Sequence, residues 1–296
     1  MSQKTITVIG TGDMGSAVGR VLVDGGHRVV TNLSGRSAHS VELSHASGLE
    51  DLGSLEAAIA EADLVLSILP PAQAPGFARQ AADAIRATGV TPLFADCNAV
   101  SPQTVVELGT VVSSAGAVFL DVGIVGPAPR KESAPTRFYA SGERVGDLVE
   151  LGVPEIRVID MGSEIGRASA LKATYAGLNK GTQALQTTVL LAAERLGVRS
   201  ELMEELQGSQ PQAVARMQQQ VPHLAATAER FAGEMLEIAS TYESVGVTGK
   251  MHEGAAWLFE LLARTPLAAE TRATLDRGRS LDEAVEVFSR SLDSPL

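Results

Sequence analysis

At 296 residues and 45% hydrophobic, the chain is long enough to bury more than one core, so two domains are expected. Its formal charge of −11 offers no broad attraction to phosphate backbones or anionic lipid, and neither nucleic acid nor membrane is expected as a partner. A single cysteine, Cys97, excludes an intramolecular disulfide framework and a cysteine-rich zinc site, and the five histidines show no ligand spacing, so no metal is expected.

The opening "MSQKTITVIGTG" reads straight into a strand without the basic, apolar and small-residue pattern of a signal peptide. The most apolar helical stretch, residues 182–193, is interrupted by Gln183 and Gln186 and falls short of the ~20 residues of a membrane span. A cytoplasmic protein is the expectation. Along the first half, "TITVIG", "HRVVTN", "LVLSIL", "PLFADC", "AVFLDV", "RFYAS" and "IRVID" are short β-branched runs separated by helical segments. That alternation predicts an α/β domain with a mostly parallel sheet covered on both faces. After Asp160 the β-branched runs stop, and helical periodicity takes over at 167–196, 199–206, 223–244, 250–263 and 281–291. Gly162 and Gly166 break the chain at "DMGSEIG", which predicts an α/β domain over 1–162 and an all-α domain over 163–296, joined by a long helix.

"VIGTGDMG" sets Gly10, Gly12 and Gly15 in G-x-G-x-x-G spacing after the first strand, with Thr11, Asp13 and Met14 between and beside them. The first glycine permits a tight turn, the second lets a pyrophosphate approach the backbone, and the third lets helix pack on strand. A plain strand-to-helix turn would not need all three. At the end of the second strand, "TNLSGRS" offers Asn32, Ser34, Arg36 and Ser37 with no carboxylate before Glu42. A guanidinium and hydroxyls suit a ribose 2′-phosphate, so NADP is expected over NAD; a solvated loop arginine is the plain alternative.

In "SALKATYAGLNKG", Lys172 sits on a helix of small and apolar residues. At 3.6 residues per turn, Tyr175 and Asn179 lie within about 60° and 20° of its direction, so a phenol and an amide share its face. From periodicity alone, Lys172 reads as a lysine that runs its ammonium out to solvent. Arg130 and Lys131 in "GPAPRKES" read as surface charge, with an anion-holding role as the alternative.

Gly162, Gly166 and Lys172 in "GSEIGRASALK" resemble the glycine-led G-x-x-G-x-G-x-x-x-K-x-x-x-N segment of the β-hydroxyacid dehydrogenases, whose larger relative is 6-phosphogluconate dehydrogenase. Ala176 stands at the asparagine of that pattern. "SILPP", with Leu69 and Pro70, resembles the family's strand-end loop beside the cofactor, and "DCNAVSP" resembles its D-x-S-T-x-x-P, with Asn98 in place of serine near the nicotinamide ribose. "DVGIVGP" stands where the family has D-x-P-V-S-G-G, a turn that grips the substrate carboxylate; this implies Gly123, Val125 and Gly126 at the substrate, although Val125 and Pro127 replace the serine and second glycine. Gly233 and Glu234 replace the lysine and aspartate of the family's K-D-L-x-L-A helix. His252 and Trp257 are candidates for lining the altered pocket, the plain reading of His252 being a packed or capping residue.

The resemblance implies a Rossmann-type N-terminal domain and an all-α C-terminal domain. It also implies an NADPH-dependent dehydrogenase or reductase that interconverts a small hydroxy compound, in the family a hydroxy acid, and its carbonyl partner. Lys172 would be the general acid/base, with Tyr175 and Asn179 as supporting donors, in a homodimer. Two rivals stay open. An imine reductase of the same architecture usually carries aspartate or tyrosine at the lysine position, and Tyr175 keeps that reading alive. The other is a dinucleotide-binding sensor without catalysis.

Overall fold

The computed structural model of the protein describes residues 3–271 and 274–293. Among these, eight strands form one sheet: β1 (Thr5–Ile9), β2 (Arg28–Thr31), β3 (Glu50–Asp51), β4 (Leu64–Ser67), β5 (Leu93–Asp96), β6 (Val118–Val125), β7 (Thr136–Ser141) and β8 (Ile156–Asp160). Their order is β3-β2-β1-β4-β5-β6-β7-β8. Strands β1 to β6 are parallel; β7 pairs antiparallel to β6 and parallel to β8. The first six follow the doubly wound 3-2-1-4-5-6 order of a Rossmann domain, in which strand order reverses between β1 and β4.

Helices α1 (Asp13–Asp24), α2 (Ala38–Ala46), α3 (Leu55–Ala60), α4 (Ala74–Thr88), α5 (Pro102–Ser113) and α6 (Val145–Val149) connect the strands. The central strands are apolar along most of their length because helices cover both faces. On one face Val18, Val21 and Leu22 of α1 and Leu148 of α6 pack with Ile6, Val8, Leu66 and Leu120. On the other, Phe77 and Ile85 of α4 and Val105 and Leu108 of α5 pack with Val65, Phe94 and Phe119. Phe94 stacks between Phe77 and Phe119, with ring centroids 6.2 and 5.9 Å apart. Strand β3 carries no sequence signal, because its two residues are polar and exposed and show no alternation.

The chain then becomes helical: α7 (Arg167–Leu196), α8 (Arg199–Ser209), α9 (Pro211–Gln220), α10 (Ala228–Glu243), α11 (Lys250–Ala263) and α12 (Leu281–Ser291). Helix α9 is rich in glutamine and was not apparent from apolar periodicity. A 3-10 segment, Val221–Thr227, occupies the start of the stretch expected to be helical from residue 223. Pro222 supplies no amide hydrogen there, and the α-helix begins only at Ala228. Helices α10 and α11 pack through an edge-to-face contact between Phe231 and Phe259, centroids 5.4 Å apart, and Ser280 and Glu283 form a reciprocal cap at the start of α12. Among the described residues no helix is long and apolar enough to cross a membrane.

Two compact units result, Met1–Ala173 and Thr174–Leu296. The first two turns of α7, including Lys172, therefore go with the sheet.

Candidate active site

The carboxyl ends of the parallel strands position most of the expected residues. Gly10 adopts φ +94°, open chiefly to glycine, and a Cβ there would fall 2.1 Å from the carbonyl oxygen of Ile68. A Cβ on Gly15 would fall 2.0 Å from the carbonyl oxygen of Gly10, so that glycine lets α1 close onto its strand. Gly12 is different: nothing lies within 4 Å of the position its Cβ would take. It is also the N-cap of α1 and has no side-chain cap, leaving the first-turn amides beside Asp13 and Met14 directed at whatever lies beyond the turn. This open glycine and uncapped helix end fit a pyrophosphate. Thr11 is buried, its hydroxyl donating to the carbonyl of Ser40.

The loop after β2 is tied internally. Asn32 Oδ1 accepts from Ser34 N, Ser34 Oγ donates to Gly53 O, and Ser37 caps α2 by accepting from Ser40 N. Arg36 is half-buried at the end of this loop. The sequence reading missed Asp51, which β3 brings alongside β2. Its Oδ1 accepts from Leu33 N at 3.1 Å and Gly53 N at 3.0 Å, so a carboxylate does reach the segment, from a partner strand and not from the segment itself.

A polar row crosses the sheet one step further along. Register places Ser67 on β4 beside Asp96 on β5, Asp96 beside Asp121 on β6, and Asp121 beside Ser141 on β7, all four buried and facing the same side. Asp121 accepts from Ser141 Oγ at 3.1 Å, Gly166 N at 2.9 Å, Ser169 N at 3.0 Å and Ser169 Oγ at 2.7 Å. A carboxylate from the sheet thus caps the N-terminus of α7, the end where a helix favours negative charge.

Asp96 holds Asn98. Its Oδ1 accepts from Asn98 N at 3.1 Å and its Oδ2 from Asn98 Nδ2 at 2.7 Å, while the same amide nitrogen donates to Ser67 Oγ at 3.0 Å. Asn98 Oδ1 accepts from Leu69 N at 2.6 Å, which ties down the loop carrying Leu69 and Pro70. Burial pushes the Asp96 carboxyl up to about 7; the Asn98 hydrogen bonds pull the other way, neighbouring Asp121 adds to the rise and Lys172 offsets part of it. Burial also pushes the Cys97 thiol well up, so Cys97 is an inert packing residue.

Lys172 is half-buried, and its Nζ donates to the backbone carbonyls of Cys97 at 3.3 Å and Asn98 at 3.2 Å. Beneath it lies Gly123, where a Cβ would fall 2.8 Å from Ala168 O and 3.1 Å from Lys172 Cβ. Gly123, expected at the substrate, is thus the seat on which α7 rests. Val125, two residues along the same strand face, is buried, and Gly126 is exposed at φ +117°.

The remaining expected residues lie in the second unit. Tyr175 is 48% exposed, and Asn179 Nδ2 donates to the Tyr175 carbonyl at 2.8 Å, so its amide bonds back along its own helix. His252 is elsewhere: it stacks on Tyr242 with centroids 4.3 Å apart, and both approach Gly177, which lies about 140° around α7 from Lys172. Burial holds the His252 imidazole below its ordinary range. Trp257 is 41% exposed. Lys131 pairs with Asp24 at 3.2 Å, and Arg130 is exposed.

Comparison with known proteins bears on the fold that carries these residues. Residues 5–146 match the NAD binding domain of 6-phosphogluconate dehydrogenase, and residues 193–262 match a domain of unknown function, DUF1932. An uncharacterized 28.5 kDa protein of Methanothermus fervidus is 28% identical over 205 residues, 68% of this chain and 76% of that protein. A conserved protein of unknown function, whose structure shows similarity with 3-hydroxyacid dehydrogenases, superposes with a TM-score of 0.65 at 27% identity, covering 87% of this chain and 96% of its own. The 3-hydroxyisobutyrate dehydrogenase of Mycobacterium tuberculosis shares the fold with a TM-score of 0.68 at 20% identity, over 99% of this chain and all of that one.

Proposed function

We propose, from the match of residues 5–146 to the NAD binding domain of 6-phosphogluconate dehydrogenase, that the chain is a divergent relative of that family and an NADPH-dependent dehydrogenase or reductase that interconverts a small hydroxy compound and its carbonyl partner. The observation that carries this reading is the seating of Lys172 on the Cys97 and Asn98 carbonyls, at the strand ends where a doubly wound sheet binds its ligands. Backbone carbonyls hold an ammonium without neutralising it, so it keeps a proton to give to a substrate oxygen. A nicotinamide dinucleotide held there would supply or accept the hydride. Lys172 then gives a proton to the oxygen in the reductive direction and takes it back in the oxidative one. Tyr175 and Asn179, on the following turns of α7, are supporting donors.

The Gly12 turn and the α1 amides would hold the pyrophosphate, and Arg36 with Asn32, Ser34 and Ser37 the 2′-phosphate. Arg36 supports NADP over NAD because a planar guanidinium matches a phosphate, and Asp51 already spends one oxygen on Leu33 and Gly53.

A homodimer is part of the proposal. Leu178, Leu185, Val189 and Leu196 of α7 are 70%, 59%, 37% and 75% exposed and lie within about 40° of one another around the helix, an apolar stripe that a second copy would cover.

The test is calorimetric titration with NADPH and NADH separately, followed by a panel of hydroxy acids, aldehydes and imines assayed on the wild type and Lys172→Ala. Tighter NADPH binding that Arg36→Ala weakens about 10-fold or more, with turnover dependent on Lys172, supports the reading. Preference for NADH overturns the cofactor assignment, and binding of neither removes the enzyme. Light scattering that finds only monomer at micromolar concentration rules out the dimer.

A further inference from the structure

The Asn98 side chain makes two polar contacts with the buried row and one with the loop after β4: Nδ2 donates to Asp96 and Ser67, and Oδ1 accepts from the amide of Leu69. Its main chain is bound too, the amide to Asp96 and the carbonyl to Lys172. The preceding Cys97 amide donates to Ser67 O at 2.8 Å and its carbonyl receives Lys172. The direction of both carbonyls that hold the ammonium is therefore set by a short turn, and the Asp96 carboxylate fixes that turn with two hydrogen bonds.

We propose that Asp96 is a positioning residue for Lys172: its ionised carboxylate holds the Asn98 turn in the orientation that points two carbonyls at the ammonium and pins the Leu69 loop, and protonation of Asp96 loosens all three together. A carboxylate accepts at both oxygens, and one Asn98 donor needs each of them. A carboxylic acid carries a hydrogen on one oxygen, which then meets an N–H instead of accepting from it, so one of the two bonds is lost. Asp96 is 2% exposed, so no water from outside takes over the lost bond cheaply.

Burial makes this ionisation unusual, and the charged groups that face Asp96 act on it in opposite directions. From β4 comes only the neutral Ser67; from β6 comes Asp121, the register partner; from α7 comes Lys172; and on its own strand end lies the protonated Cys97 thiol. One carboxylate opposes the ionisation and one ammonium favours it, so burial is left to raise the carboxyl to about 7, and the hold on Lys172 responds to pH near neutrality, where an ordinary aspartate does not. Asp121 has its oxygens committed to the N-terminus of α7, so it does not replace Asp96 at the turn.

The consequence for cofactor and turnover rests on the dinucleotide reading above; the coupling of Asp96 to Asn98 does not. The test is a pH titration by NMR of the wild-type protein from pH 5 to 9, following the Asp96 carboxyl carbon and the Asn98 side-chain amide. The amide is expected to shift in a single step sharing the midpoint of the carboxyl, at about 7, and the step is expected to vanish in Asp96→Asn. An Asn98 amide that stays still, or titrates with a midpoint unlike that of Asp96, overturns the inference using the wild type alone. In parallel, NADPH affinity is expected to improve about threefold or more from pH 6 to pH 8 in the wild type relative to Asp96→Asn. An equal pH dependence in the two proteins overturns the functional coupling. Failure of both NADPH and NADH to bind at any pH counts against the dinucleotide reading, while the NMR result still decides the Asp96–Asn98 coupling.

Discussion

Gly123 and Lys172 meet so closely that a single methyl on the glycine would lie 3.1 Å from the lysine's Cβ and 2.8 Å from the carbonyl of Ala168. Strand β6 and helix α7 therefore touch through backbone at the point where the lysine emerges. Gly123→Ala has to push the helix off its strand, because one of the opposing atoms is backbone. The expected cost is about 1–3 kcal/mol in denaturant unfolding, with loss of turnover beyond what that instability explains. Gly254→Ala, in the middle of α11 with nothing within 4 Å, is the opposite case and is expected to stabilise by about 0.5–1 kcal/mol.

Glu234 answers two cations. Its Oε2 takes the Lys180 ammonium, its Oε1 accepts from Arg230 at 2.9 Å, and Lys180 also lies 4.4 Å from the centroid of Phe231. The Lys180 and Glu234 side chains are only 13% and 8% exposed. Glu234→Gln removes the lysine's buried carboxylate partner and is expected to cost about 3 kcal/mol in chemical denaturation, whereas Lys180→Met combined with Glu234→Leu is expected to recover most of it. If the single and double variants are equally unstable, the pair is not coupled.

Asp96 makes stability pH dependent with a definite sign. Its ordinary value is 3.8 and its folded value about 7, so between these the folded state holds a proton that the unfolded chain has lost. Stability from this group is therefore highest at low pH and falls as pH rises through the window, by on the order of a few kcal/mol in all. Asp24, Glu50 and Glu283 shift downward and act in the reverse sense, but they are shared by wild type and variant and cancel in the difference. The melting temperature of Asp96→Asn minus that of the wild type is expected to rise from pH 4 to pH 7 and then level off. A difference that is flat across that range contradicts the raised folded value.

Lys172→Ala is expected to leave dinucleotide affinity within about threefold while lowering turnover roughly 10²–10⁴-fold, the range of a lost general acid. A large loss of affinity with turnover preserved at saturation would make Lys172 a binding residue instead.

Periodicity and glycine spacing carry much of this fold. The bounds of α7, α11 and α12 were legible because long runs at 3.6-residue spacing end at identifiable breaks, and Gly10, Gly12 and Gly15 showed the turn. What was not legible depends on pairing between distant segments. Asp51 reaches the β2 loop because β3 lies beside β2, and two polar residues give no strand signal. Asp96 and Asp121, 25 positions apart, become neighbours only through strand register, and no local pattern encodes register between parallel strands. Tyr175 and Asn179 show the converse. Their angular kinship with Lys172 follows from helix geometry and was legible, whereas the passage from one compact unit to the next just after the lysine, within one unbroken helix, carries no sequence signal.

That change of unit inside one unbroken helix separates two kinds of inheritance. The lysine draws its anchors, Gly123, Cys97, Asn98 and the Asp121 cap, from the sheet unit, whereas Lys180, Glu234 and the packed α10 and α11 belong to the unit that follows. Substitutions in the helical unit therefore leave the supports of Lys172 in place.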